Sequence, residues 1–227
     1  LVYTEPYNDE RGRNRVFPPI ADFVKEKLYE DQGLHCEVAK LKMDFMTRAQ
    51  SLIHGDLHTG SIFINEESTK VFDPEFCFYG PMGYDIGNVI SNMIFAWANG
   101  DAAGAADFCK WVEDVLVDVI NMTKEKMEKY YEEHVTDTMC KNELYRKYYM
   151  ATIIEDTSAV TGLELIRRIV GMANVKDITS LEDEAKRARA EKICITAAVD
   201  FIKNRGDKKC GKCFLGTLKD AIAKVDA

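Results

Sequence analysis

The sequence predicts an α+β protein that is predominantly helical and forms a single domain over residues 1–227. Two observations support this prediction. Apolar residues recur at three- and four-residue steps through most of the chain, which is the spacing of an amphipathic helix. Between residues 51 and 83 the pattern changes to two short runs rich in β-forming residues, SIFIN and TKVFD, with a turn-like segment between them. No linker-like segment divides the chain.

The first helix is expected after a charged opening loop, where Ile20, Phe23 and Leu28 lie on one helical face. The expected helices cover residues 20–31, 34–50, 84–100, 105–134, 138–172 and 181–203. Gly162 and residues 174–179 are predicted to interrupt the helical pattern, and a short last helix is expected after a basic loop at 203–213. The C-terminal half is therefore predicted to be a helical bundle.

Composition limits the classes of partner and compartment. The net charge of -8, from 38 acidic and 30 basic residues, argues against binding to nucleic acid. Seven scattered cysteines indicate reduced thiols, and no signal peptide or membrane-length apolar stretch is visible, so we expect a cytoplasmic protein without membrane contact. The chain starts with Leu1 instead of methionine, from which we expect that the natural N-terminus lies upstream.

Three carboxylates flank the predicted hairpin. Asp56 precedes its first strand, and Asp73 and Glu75 follow its second strand. Because the outer ends of a hairpin lie side by side, these three side chains are expected to converge on one small site. Crowded carboxylates need a cation, and hard oxygen ligands suit Mg²⁺. The spacing therefore predicts a site for Mg²⁺ and phosphate.

The same segment carries a family resemblance. HGDLHTGS (54–61) resembles the catalytic loop of the aminoglycoside phosphotransferase and choline kinase superfamily, and DPE (73–75) stands where those enzymes carry a metal-binding Asp. Together with GPMGYDIGN (80–88), it closely resembles the methylthioribose kinase family, and the likeness extends over nearly the whole chain. The resemblance implies the C-terminal catalytic lobe of a protein-kinase-like fold. It also implies ATP and Mg²⁺ as cofactors, a homodimer, and transfer of a phosphoryl group to the anomeric hydroxyl of methylthioribose in methionine salvage.

The resemblance implies roles for individual residues. Asp56 would accept a hydrogen bond from the sugar hydroxyl and take its proton, while Asp73 and Glu75 would bind the metal. Ser61 stands where most relatives carry a metal-binding Asn, so we expect Glu75 to supply a second carboxylate and Ser61 to hold the loop or a metal-bound water. Arg167 and Arg168, in ELIRRIVG, resemble a twin arginine that contributes to the substrate and phosphate pocket.

Helical geometry adds an expectation for these arginines, namely that Arg167 flanks the apolar face of its helix and Arg168 points away. Asp85 is expected to cap the helix that it opens, and the resemblance implies that it also anchors the catalytic loop. His54 is expected to fix that loop, whereas the role of His58 is left open. No third ligand or GxSxG motif supports a zinc site or a hydrolase dyad here.

Some features of a complete kinase are not visible in the sequence. No Gly-rich phosphate loop occurs, so we expect an N-terminal ATP-gripping lobe to be missing and these 227 residues alone to be inactive. Two alternatives remain open. A choline or aminoglycoside kinase would be expected to carry Asn in place of Ser61, and a non-catalytic kinase-like binding module is disfavoured by the retained carboxylates. The CxxC pair Cys210 and Cys213 lacks a second ligand pair and is treated as incidental.

Overall fold

The computed structural model describes all 227 residues. Regular structure consists of eight α-helices and four short strands, and the prediction of a predominantly helical protein is confirmed. In chain order, the elements are α1 (Ala21–Val24), α2 (Gln32–Thr47), β1 (Ser51–Ile53), β2 (Ile62–Ile64), β3 (Thr69–Val71), β4 (Phe78–Gly80), α3 (Gly83–Ala102), α4 (Ala106–His134), α5 (Glu143–Val170), α6 (Lys176–Thr179), α7 (Glu184–Lys203) and α8 (Gly211–Asp226).

The four strands form two small antiparallel pairs. The predicted hairpin is confirmed as β2 paired with β3, in the register Ile62 to Val71. Strands β1 and β4 form the second pair, with Ser51 opposite Gly80, and both lie outside the two runs that were predicted as strands. The hairpin lies between β1 and β4 in sequence. Because β1 and β4 are paired, the loop after β1 and the loop before β4 begin side by side. This arrangement positions the two carboxylate-bearing loops.

The core is built mainly from α3, α5 and α7. Phe95 of α3, Leu163 of α5 and Phe201 of α7 are almost completely excluded from water. A close approach between α3 and α5 occurs at Gly87, where a Cβ atom would lie 2.7 Å from Cβ of Val160. Only a glycine permits backbones to approach this closely. Removing apolar surface from water in this three-helix layer provides the main stabilisation of the fold.

Some expected boundaries are wrong. Gly162 does not interrupt a helix but lies within α5, where a Cβ atom would meet the Ala198 carbonyl oxygen of α7 at 2.5 Å. The glycine is therefore required for helix packing and does not act as a helix breaker. Helix α5 begins five residues later than expected, after Asn142, whose side chain accepts hydrogen bonds from the Leu144 and Tyr145 amides. The predicted interruption at 174–179 contains the short helix α6.

The first predicted helix is also more irregular than its apolar spacing suggests. Helix α1 has only four residues and continues as a π-helical turn over Lys25–Tyr29. None of the eight helices combines the length and the apolar character that crossing a membrane requires.

Candidate active site

The loop that follows β1 is held by the carboxylate of Asp85. The backbone amide of His54 donates to Asp85 Oδ2 at 2.6 Å, and the amide of Gly55 donates to Oδ1 at 3.0 Å. Asp85 lies in the first turn of α3, but the N-cap position of that helix is occupied by Met82, so the expectation that Asp85 caps the helix is wrong. Its role as an anchor of the loop amides is confirmed.

Gly55 makes the turn into the loop in a backbone conformation that favours glycine. Its φ of +89° lies in the left-handed region, and a Cβ atom at this position would be 2.3 Å from the backbone oxygen of Phe76. Phe76 belongs to the loop before β4 that also carries Asp73 and Glu75. The two predicted site loops therefore touch through backbone at this point.

Three polar side chains hold the loop in place. His54 Nε2 lies 2.8 Å from the carbonyl oxygen of Phe72 and donates to it, as was expected of a histidine that fixes the loop. Ser61 is buried, and its Oγ atom lies 3.3 Å from Nε2 of His58. His58, whose role the sequence left open, is therefore the hydrogen-bonding partner of Ser61. Contact between Ser61 and a metal ion stays a prediction.

The side chain of Asp56 contacts both arginines of α5. Arg167 Nη2 lies 3.0 Å from Asp56 Oδ1, and Arg168 Nη2 lies 3.5 Å from the same oxygen. Both arginines are mostly buried, whereas 30% of the Asp56 side chain is exposed. The aspartate thus lies at the open end of the cluster, where a ligand from solvent could meet it. The structure brings together the three residues that the resemblance assigned to catalysis and substrate binding.

Glu164 completes this cluster from below. Its carboxylate is only 3% exposed and binds Nε of both arginines, with the Arg168 contact at 2.7 Å. Glu164 precedes Arg167 by three residues and Arg168 by four, and side chains at these spacings lie on the same helical surface. The expectation that Arg168 points away is therefore wrong, because Glu164 and Asp56 hold both guanidinium groups on one side of α5.

Sequence reasoning missed Glu164, although its spacing from the two arginines was the available signal. Burial by itself would lower the pKa of the Arg167 guanidinium, but Glu164, followed by Tyr84 and Asp56, outweighs this effect and the pKa is raised. Arg167 is therefore firmly cationic. Two buried positive charges lie next to Asp56, compensated by one buried carboxylate and one half-exposed carboxylate.

The expected cluster of Asp56, Asp73 and Glu75 is not formed. No group of three or more Asp, Glu, His or Cys side chains is arranged to hold a metal ion. The physical reason is that Asp56 turns toward the arginines of α5, while Asp73 and Glu75 lie exposed on the other loop. Asp73 has a φ of +67°, a strained conformation that is tolerated best by Asp, Asn and Gly.

Asp73 and Glu75 nevertheless have the donor chemistry that Mg²⁺ requires. Mg²⁺ is usually bound by one or two carboxylates together with substrate phosphates and water, instead of by a complete protein cage. Two exposed carboxylates on one loop fit that mode of binding. A third protein ligand is not needed, so the absence of a three-carboxylate cluster does not conflict with a phosphate-bound metal.

A cavity of about 610 Å³ lies between the C-terminal part of α4 and the N-terminal part of α5. Four tyrosines dominate its lining, Tyr130, Tyr131, Tyr145 and Tyr149. None of the predicted site residues lines this cavity, so it is separate from the Asp56 cluster.

Comparisons with known proteins agree with the motifs. Residues 5–116 match the model of the phosphotransferase enzyme family. The chain is similar to methylthioribose kinase 1 of Oryza sativa subsp. japonica, with 37% identity over 224 residues that cover 90% of this chain and 51% of the relative. It is 33% identical over 219 residues to the methylthioribose kinase of Escherichia coli O45:K1, covering 90% of this chain and 52% of the relative. The Bacillus pumilus methylthioribose kinase is 33% identical over 203 residues, covering 89% and 50% respectively. The chain spans about half the length of the curated relatives it matches.

Proposed function

Because residues 5–116 match the phosphotransferase enzyme family and the chain is similar to methylthioribose kinase 1, we propose that it belongs to this family and carries the catalytic and sugar-binding part of a methylthioribose kinase. The proposed reaction transfers the γ-phosphate of ATP to the anomeric hydroxyl of 5-methylthioribose. The product is methylthioribose 1-phosphate, an intermediate of methionine salvage. The observation that carries the proposal is the contact of Asp56 with Arg167 and Arg168, because a carboxylate that can accept a proton lies beside two guanidinium groups that can bind phosphate.

Asp56 acts as the proton acceptor in this proposal. Both arginine contacts are made to Oδ1, which leaves Oδ2 to accept a hydrogen bond from the sugar hydroxyl. The carboxylate then orients the hydroxyl oxygen toward the γ-phosphorus and takes the proton as the new bond forms. Asp85 binds the amides of the two residues that precede Asp56. These contacts fix the position of Asp56 relative to α3, which favours a constant orientation of its carboxylate toward the sugar hydroxyl.

Arg167 and Arg168 bind the negatively charged phosphate oxygens in this proposal. Guanidinium groups present several donors in a plane and match the oxygens of a phosphate. Glu164 holds both guanidinium groups in place, and Arg168 Nη1 is held further by the Ala173 carbonyl oxygen. Charge that develops on the transferred phosphoryl group is stabilised by donors that are already oriented.

Asp73 and Glu75 would hold Mg²⁺ at the neighbouring loop. The metal, when bound with ATP, neutralises charge on the β- and γ-phosphate oxygens. Ser61 keeps the catalytic loop in shape through His58, and its proposed part in cofactor binding is limited to supporting that loop or a metal-bound water. An enzyme with Glu75→Gln should require more Mg²⁺ for half-maximal activity. An unchanged Mg²⁺ dependence would contradict the assignment of Glu75.

We further propose that the 227 residues form one catalytic lobe, and that a Gly-rich loop and a lysine from additional polypeptide contact the ATP phosphates. The relatives, which are about twice as long, support this division. A cytoplasmic homodimer completes the proposal. Sedimentation of the whole protein at micromolar concentration tests the dimer, and a monomer would contradict it.

The function is tested by ATP consumption of the whole protein that contains this chain, with Mg²⁺ and either methylthioribose, choline or an aminoglycoside. Turnover with methylthioribose alone, abolished by Asp56→Asn, is the expected result. Turnover with choline or an aminoglycoside would support the assignment as a kinase but contradict methylthioribose as its acceptor. The absence of turnover with all three would favour a binding module, and calorimetry with methylthioribose would then report whether the sugar still binds.

A further inference from the structure

A pair of cysteines that has no part in the proposed kinase site lies where α8 begins. Cys210 occupies the N-cap position of α8, and Cys213 lies in its first turn. Their sulfur atoms are 3.1 Å apart, and both thiols are free. A disulfide bond requires sulfurs about 2 Å apart, so the pair needs an approach of about 1 Å.

The backbone on which the two cysteines lie is fixed by its neighbours. The amide of Gly211 donates to the side chain of Asn121 on α4 at 2.9 Å. On the other side, Lys208 forms an ion pair with Asp200 of α7, and Asp200 also accepts from Thr217 of α8. The short separation of the sulfurs is therefore maintained by contacts to two other helices.

The surroundings of the pair favour a thiolate. A hydrogen bond from the Cys210 thiol is the largest influence on Cys213 and lowers its pKa, and backbone amides and the charge of Lys208 act in the same direction against burial. Lys209 and Lys212 add positive charge in the adjacent sequence. A lowered thiol pKa beside basic residues is typical of reactive CxxC cysteines. Both side chains are partly exposed, so a small disulfide can reach them.

We propose that Cys210 and Cys213 form a redox-active dithiol that exchanges with a low-molecular-weight disulfide of the glutathione type. The Cys213 thiolate attacks one sulfur of glutathione disulfide, breaks that disulfide bond and releases one glutathione thiolate, which takes up the proton lost by Cys213. Cys210, deprotonated in turn, attacks the Cys213 sulfur and expels the second glutathione, which takes up that proton. The protein dithiol is oxidised to a disulfide, and one glutathione disulfide is reduced to two glutathiones.

This pair differs from the other thiols of the chain in a way that an experiment can resolve. Cys36 and Cys77 are exposed but have no neighbouring thiol, so they can form only mixed disulfides with glutathione. Lys212 lies between the two cysteines of the pair, so trypsin separates residues 210–212 from residues 213–219. An intramolecular disulfide would be recovered as these two peptides joined together.

The test equilibrates the reduced 227-residue chain with glutathione buffers of increasing oxidised content, alkylates the remaining thiols and maps the products by mass spectrometry. We expect the joined peptides to appear at a glutathione disulfide concentration about tenfold lower than that which modifies half of Cys36 or Cys77. Free, alkylated Cys210 and Cys213 under conditions that modify Cys36 and Cys77 would overturn the proposal. Recovery of mixed glutathione adducts alone on the pair would do the same.

Two variants identify the order of attack. In Cys210→Ser, Cys213 should accumulate as a stable glutathione adduct, because the second thiol that would displace glutathione is missing. In Cys213→Ser, Cys210 should react with glutathione disulfide about tenfold more slowly than Cys213 does in the first variant. Equal rates in the two variants would contradict the assignment of Cys213 as the attacking thiol. These readouts require no kinase activity, so they are independent of the proposed function.

Discussion

Arg167 contacts Asp56 across 111 positions of sequence, with its Nη2 atom 3.0 Å from the carboxylate Oδ1. The contact joins the loop after β1 to the C-terminal end of α5. Because Glu164 holds the same guanidinium from the opposite side, the arginine is oriented at two points. Its geometry, and not only its charge, should therefore contribute to activity.

Replacing Arg167 by Lys should lower kcat/KM for methylthioribose about 100-fold in the whole protein, because an ammonium group cannot contact Glu164 and Asp56 in the same plane. Steady-state kinetics measure the effect. Arg187→Lys is the matched control, since Arg187 also binds a buried glutamate on its own helix, Glu191, but lies outside the cluster. Equal activity losses in the two variants would show that a general effect on folding is responsible.

Glu164→Gln should lower the free energy of unfolding by about 3 kcal/mol, because two largely buried arginines lose their shared counter-charge. Glu191→Gln should lower it by only about 1 kcal/mol. Burial raises the pKa of the Glu191 carboxyl, although its partner Arg187 opposes the shift. Replacing this carboxylate by a neutral amide therefore costs less than the same change at Glu164. Urea unfolding of the chain at neutral pH measures both values. A loss for Glu191→Gln that equals that of Glu164→Gln would contradict this explanation.

Gly55→Ala should be more destabilising than Gly104→Ala, by about 2 kcal/mol. Both glycines have positive φ, so alanine introduces backbone strain at each position. Only at Gly55 does the added Cβ also meet backbone atoms, those of Phe76, whereas Gly104 has no atom within 4 Å. Thermal or urea unfolding compares the two, and equal stability would indicate that the two site loops are not in contact at Gly55.

The same substitution should affect the metal response, because Phe76 lies next to Glu75. Displacement of that loop should raise the Mg²⁺ concentration needed for half-maximal activity in Gly55→Ala, while Gly104→Ala should behave as the unsubstituted enzyme. An unchanged Mg²⁺ requirement in a folded Gly55→Ala enzyme would place the metal ligands elsewhere.

Asp156 of α5 should make stability depend on pH. Burial raises the pKa of its carboxyl from the ordinary value of 3.8 to about 6, although Arg48 binds both oxygens and opposes the shift. The folded protein therefore holds this proton more tightly than the unfolded chain does, so the contribution is greatest below about pH 4 and is lost as the pH rises toward about 6.

The measurement compares urea unfolding of the chain and of Asp156→Asn at several pH values between 4 and 7. The free energy of unfolding of the unsubstituted chain should fall relative to that of the variant across this window, and the difference should be constant above it. If the difference instead grows in favour of the unsubstituted chain as the pH rises, the ion pair with Arg48 dominates over burial.

The sequence was sufficient for the helical bundle and the hairpin because both depend on local periodicity. It was insufficient for β1 and β4, which have three residues each and are paired through contacts 25 to 29 positions apart. It also misassigned Gly162, because a glycine that breaks a helix and a glycine that permits two helices to touch look the same in sequence.

For the site, the motifs identified Asp56 and the twin arginines, and the structure places them together. The prediction of a three-carboxylate cluster failed because it considered strand ends and ignored the charges on α5. The Asp56 carboxylate is attracted by the guanidinium groups of Arg167 and Arg168, whereas the carboxylates of Asp73 and Glu75 repel it in the absence of a cation. The contact of Glu164 with the two arginines could have been predicted from its spacing, but its burial beneath them could not.

The glycine contact between α3 and α5 has a mechanical consequence. Helix α3 carries Asp85, which binds the amides of the loop after β1, and Gly87, two residues later, lies directly against α5, which carries Arg167. The loop after β1 is thus bound to α3 and Arg167 is part of α5, and these two helices are in direct contact at Gly87. We therefore expect Asp56 and Arg167 to move together, so that a motion admitting a substrate should arise in polypeptide outside α3 and α5.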